Sequence, residues 1–128
     1  MTGRFAAAAL LCAMAGSTSA APTLRCALQA PAQVAAGQPV VLRFTVTNPG
    51  PAAVQMLRWN TPFEAHWMAP FVEVRRGGKA LRYQGPMAKR GDPQAEHYLP
   101  LGPGESLTAE VDLTQAFDLS PRGLYRVQ

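Results

Sequence analysis

The sequence is poor in charge, in aromatic rings and above all in histidine. Charged residues make up 16% of its 128 positions and aromatic residues 8%, and His66 and His97 are its only imidazoles. A zinc peptidase of the H-E-x-x-H kind needs two histidines one turn apart on a helix, because only then do both rings converge on one metal while the glutamate activates water. His66 and His97 stand 31 positions apart and are followed by WMAP and YLPL, so neither starts such a motif. No G-x-S-x-G elbow surrounds a serine, and no glycine-rich segment follows a strand to open a helix, which excludes the hydrolase elbow and the phosphate cradle. Twelve Lys and Arg against eight Asp and Glu give a net charge of +4, yet no basic run exceeds two residues. The concentrated basic stripe of a nucleic-acid binder is therefore missing from the sequence.

Other catalytic groupings fare no better. Ser106, His97 and Asp112 lack the surrounding pattern of a triad. Glu64 and Glu73 as acid and base require a cleft that a small β domain rarely provides. Cys26 as nucleophile requires a histidine and an electropositive niche beside it. The chain reads as non-enzymatic and free of cofactor.

Residues 1–20, MTGRFAAAALLCAMAGSTSA, carry an early Arg4, an apolar run and then small polar residues. This is the pattern of a secretory signal peptide, with cleavage expected after Ala20. The apolar run is shorter than the roughly 20 residues of a membrane span, and no other segment comes closer. A secreted or periplasmic mature chain over residues 21–128, held by no membrane, is the expectation. Cys12 would leave with the signal, so Cys26 is expected to lack an internal partner and to be either a small buried apolar residue or the site of a bond to another chain.

Twelve prolines and eleven glycines punctuate short runs of β-formers instead of helical patterns. Segments 24–30, 40–48, 53–59, 71–76, 80–85, 106–113 and 124–128, with HYLPL between the fifth and sixth, read as strands. Val40, Leu42, Phe44 and Val46 share one face, as do Leu107, Ala109, Val111 and Leu113. Gly77 and Gly78 suit a hairpin turn, and Asn48-Pro49-Gly50-Pro51 suits a strand stop. Tyr125, just inside the last strand, is placed to reach back to backbone at a sandwich corner. Seven or eight short strands predict an all-β, immunoglobulin-like β-sandwich filling residues 21–128 and ending inside its last strand.

LRWNTPFE, FVEVRRGGKALRYQGPMAKRGDP and HYLPLGPGESLTAEVDLTQAFDLSPRGLYRV, in that order, resemble the N-terminal immunoglobulin-like domain that precedes the catalytic domain in secreted bacterial proteases of the deuterolysin and peptidyl-Lys metalloendopeptidase family. The resemblance runs from about residue 24 to the end. It implies a non-catalytic, propeptide-like domain that inhibits or assists the folding of a protease catalytic domain, in cis or in trans.

Residues 55–67, QMLRWNTPFEAHW, hold both tryptophans. Trp59, closing a strand, is expected to plug the core. Pro62 ends the ladder after Asn60, and Phe63 folds under the loop. Glu64, His66, Trp67 and Met68 then lie on a loop, where contact residues concentrate, and are the candidates for protein interaction. A second reading is a periplasmic copper module, since Met56, His66, Met68, Met87 and His97 are ligands copper prefers, with His66 and Met68 on one face at i and i+2. A third is an adhesive or structural sandwich module.

Overall fold

The computed structural model describes residues 2–7, 9–13 and 23–128. It is all-β, with eleven strands and isolated single 3-10 turns among the described residues. One sheet runs in the order β4 (Gln33–Ala35), β1 (Thr2–Ala7), β11 (Gly123–Val127), β7 (Val74–Arg76), β8 (Lys79–Ala80). A second runs β10 (Ser106–Asp112), β5 (Val41–Thr47), β3 (Thr23–Gln29), β2 (Ala9–Ala13), and β6 (Val54–Leu57) pairs with β9 (Tyr98–Leu101) as a separate ribbon. β1 lies parallel to β11, and the other pairings are antiparallel.

β1 and β2 fall within the stretch expected to be removed on export, and they raise the strand count above the seven or eight expected. β4, outside the segments read from sequence as strands, adds another. The cleavage point after Ala20 lies outside the described residues. One expectation is corrected: Cys26 is disulfide-bonded. The contrary reading rested on Cys12 departing with residues 1–20, whereas the full chain holds both cysteines, and β2 runs directly beside β3 in the register Leu10 to Cys26.

Alternation governs the pairing of β5 with β10. Leu42 faces Val111, Phe44 faces Ala109 and Val46 faces Leu107 on the inner side. On the solvent side Arg43 forms a 3.0 Å ion pair with Glu110, Thr45 bonds Thr108 at 3.0 Å and Thr47 bonds Ser106 at 2.6 Å. Each such cross-strand pair contributes on the order of a few tenths of a kcal/mol, and a one-residue slip would expose the whole apolar set.

The inner face of the second sheet is covered twice. At one end Leu28, Leu42, Val111 and Leu113 pack with Val74, Tyr125 and Val127 of the first sheet and with Trp67 and Phe117. At the other end Leu24, Cys26 and Val46 pack with Met56 and Leu101 of the β6–β9 ribbon. Asn48 is a buried polar residue between strand and loop: its side-chain amide donates to the carbonyls of Ala52 at 2.8 Å and Leu101 at 3.0 Å, and its side-chain oxygen accepts the Gly50 N–H at 3.0 Å. The strand stop expected at this position is thus a clasp between the loop after β5 and the last residue of β9.

The glycine hairpin forms as a two-residue turn, with Gly77 and Gly78 at φ of 58° and 80° and Arg76 opposite Lys79. Such left-handed dihedrals match the twist of the flanking strands and favour glycine. Tyr125 is 1% exposed and its hydroxyl donates to the Pro121 carbonyl, which makes it the corner tyrosine expected.

Candidate functional site

β6 ends at Leu57, two residues before Trp59. Met56 faces inward and is buried, and the strand stops one residue later, so its alternation does not carry Trp59 into the core. The chain then reverses. Thr61 accepts the Phe63 N–H at 3.2 Å through its hydroxyl and so caps a 3-10 turn at Pro62–Glu64, and Ala65 closes that turn at φ 65°. The reversal brings Trp67, Phe71 and Val72 onto the core cluster of Leu42, Val74 and Tyr125.

The two tryptophans consequently exchange the places expected of them. Trp67, expected on an exposed loop, is 3% exposed within the core. Its ring stacks on Phe71 with centroids 4.1 Å apart and planes 3° from parallel, and it meets Phe117 edge-on at 6.0 Å. Its indole N–H donates to the Asp112 carbonyl at 3.0 Å, so no polar atom of the ring is stranded. Trp59, expected to plug the core, is half-buried at the surface, since the strand ends before it.

Around Trp59 a small platform assembles. The Arg90 guanidinium lies 4.7 Å from the ring centroid, and the His97 ring packs on the indole at 4.5 Å. Arg90 is held by Glu64, whose side chain is only 9% exposed and whose second oxygen accepts the Asn60 N–H at 2.7 Å. Arg90 Nε is buried without a hydrogen-bond partner, the one side-chain atom in that state among the described residues. Behind the platform, the Arg58 N–H donates to the His97 carbonyl at 2.9 Å and the Arg58 guanidinium donates to the Glu96 carbonyl. His97 Nδ1 accepts the Gln94 N–H at 2.8 Å, which leaves the ring proton of the neutral form on Nε2.

Of the candidates read from sequence, Glu64 is thus the inner support of the platform, and His66 is exposed. Met68 is half-buried, its carbonyl accepting the Ala88 N–H at 2.9 Å. Pro62 is buried in the 3-10 turn, and Phe63 packs edge-on against Phe44 at 5.8 Å. Arg90 went unnoticed in the sequence; the signal available was its place in the K-R-G-D-P loop, far from Glu64 in the chain.

The side chains weighed for catalysis are committed elsewhere. Ser106 bonds Thr47 across the strands, Asp112 accepts the Val40 N–H at 3.1 Å and the Thr114 N–H at 3.0 Å, and Glu73 pairs with Arg75. Met56 is buried among Leu24, Val46 and Leu101, and His97 has its Nδ1 engaged, so two of the five copper candidates hold structural places. No group of three His, Cys, Asp or Glu side chains able to hold a metal occurs among the described residues. No helix of the described residues is long and apolar enough to cross a membrane.

Fold and side-chain chemistry together define a β-sandwich module. Over 89 residues the chain is 33% identical to the extracellular protease of Aeromonas hydrophila, a match covering 70% of this chain and 25% of that protein. It is 32% identical over 89 residues to a neutral protease 2 homolog of Blastomyces gilchristii, covering 67% and 24%, and 31% identical over 98 residues to a probable neutral protease 2 homolog A of Trichophyton rubrum, covering 75% and 27%. The chain spans about a quarter of the length of the curated relatives it matches. No protein-family profile matches it. The similarity supports a protease-associated domain.

Proposed function

We propose that the chain is a non-catalytic accessory domain of a secreted zinc metalloendopeptidase, acting as a propeptide-like module that binds the catalytic domain to restrain it or help it fold. The observation that carries this reading is the match to one quarter of proteins named as extracellular and neutral proteases. The Trp59 platform offers the contact: a tryptophan flanked by an arginine and a histidine, positioned by half-buried Glu64, has the composition of an interface anchor. The chain is exported on this reading, as the name of the Aeromonas relative suggests for that protein.

The test uses the Aeromonas hydrophila extracellular protease deleted of its matching quarter. Refolded with the present chain, it is expected to form a complex on gel filtration and to change in recovered or steady-state peptidase activity. Absence of any complex, or zinc-dependent casein cleavage by the present chain alone, overturns the reading.

A further inference from the structure

Basic residues scattered through the sequence are gathered by the fold. Arg75, Arg76 and Lys79 on the β7–β8 hairpin, and Arg122 and Arg126 at and before β11, are all exposed and line one shallow groove of about 860 Å³. Leu124, 52% exposed, lies in the same groove. Arg75 and Arg126 stand directly opposite each other in the antiparallel register. Like charges so placed weaken a strand pair. Neutralisation from within the chain is slight: Glu73 pairs with Arg75, and Asp118 feels the charge of Arg76, but among the described residues no carboxylate reaches ion-pair distance of Lys79, Arg122 or Arg126.

We infer that this face of the β11–β7–β8 sheet docks onto an acidic protein surface, which, resting on the function proposed above, belongs to the protease catalytic domain. A protein partner is favoured over nucleic acid because the groove has no aromatic side chain on which a base would stack. It is favoured over a lipid surface because Leu124 is the groove's lone large apolar residue, far short of an amphipathic face. Four arginines around one exposed leucine match the centre of a protein interface, where arginine is enriched and other charges are depleted. Carboxylates opposite would relieve the Arg75 and Arg126 repulsion and steer association.

The experiment measures binding of the truncated Aeromonas protease to three forms of the full chain: wild type, Lys79→Glu/Arg122→Glu/Arg126→Glu, and Trp59→Ala. Wild-type association is expected to slow steeply with added salt, and the triple reversal to weaken binding by at least about tenfold and flatten that salt dependence. Should the reversed chain fail to fold, Lys79→Gln/Arg122→Gln/Arg126→Gln serves, with a smaller loss expected. Wild-type binding that is weakened by Trp59→Ala but indifferent to the charge variants overturns the basic face while leaving the accessory function standing. No wild-type binding at all overturns both. Tighter binding to a duplex DNA or to vesicles of anionic lipid than to the protease overturns the choice of a protein partner.

Discussion

Trp67 and Trp59 lie eight positions apart and share a residue type, yet one is enclosed by Phe71, Phe117 and Tyr83 while the other sits half-open between Arg90 and His97. At the Trp67 end apolar burial and a single hydrogen bond to the Asp112 carbonyl hold the ring. At the Trp59 end charge does the positioning: Glu64 fixes Arg90, and Arg90 covers the indole. The first end stabilises the fold and the second presents a surface. Residue type alone therefore says little about burial; the decisive factor is where the strand stops and how the chain turns between the two rings.

The sharpest break of this contrast is a pair of truncations. Trp67→Ala is expected to cost about 3–5 kcal/mol, which unfolds a domain whose whole stability is about 5–15 kcal/mol. Trp59→Ala is expected to cost about 1 kcal/mol or less, in line with surface substitutions. Urea denaturation followed by far-UV circular dichroism decides between them; equal losses, or the reverse order, would remove the distinction between the two ends.

Next in size is Asn48→Ala, which removes the donor to the Leu101 carbonyl and loosens the loop at the Val54–Leu101 end of the β6–β9 ribbon, remote from the Trp67 cluster. Unsatisfied buried groups cost about 1–3 kcal/mol each. A melting temperature several degrees lower, with the near-UV signal of the buried Trp67 intact just below the transition, would show that the two ends loosen separately. A melt within a degree of wild type would mean water replaces the clasp without loss.

Much of the fold was legible in the sequence, and the limits of that legibility are physical. The facing sets on β5 and β10 follow from strict period two, the Gly77-Gly78 turn from the need for left-handed dihedrals, and the Tyr125 corner from its position after Pro121 and Gly123. The surface place of Trp59 follows from β6 ending at Leu57, a stop that the β-forming run through residue 59 does not mark. The return of Trp67 is equally hidden, because it depends on Ala65 adopting a left-handed conformation that alanine does not advertise. The Glu64 to Arg90 pair spans a loop whose path only tertiary packing sets, and the basic face joins residues brought together by strand order.

That turn supplies a smaller test. A non-glycine residue at φ 65° carries a steric cost of about 1 kcal/mol. Ala65→Gly removes it at the expense of greater freedom in the unfolded chain. A gain of up to about 1 kcal/mol is expected, with no change in the buried environment of Trp67. A clear loss would indicate that residue 65 is not left-handed and that the path between the rings differs.

The smallest expected effect concerns pH and belongs to the Trp67 end. Burial pushes the Tyr125 phenol above its ordinary value of 10.0, a rise that the nearby Arg76 partly offsets, and burial likewise raises Tyr83 beside Trp67. A raised value means the folded chain keeps its phenolic protons where the unfolded chain releases them. The associated stability is therefore fully present below about pH 10 and drains away as pH climbs from there toward the folded-state values. Denaturation midpoints measured at increasing pH should be flat approaching 10 and fall beyond it, and the Tyr83→Phe/Tyr125→Phe double variant should fall less steeply, even though it starts lower for want of the bond to the Pro121 carbonyl. The corresponding scan of Trp59→Ala should keep the wild-type slope, because no tyrosine contributes to the ring contacts of Trp59. An unaltered slope in the double variant would show that these two phenols are not what couples the core to alkaline pH.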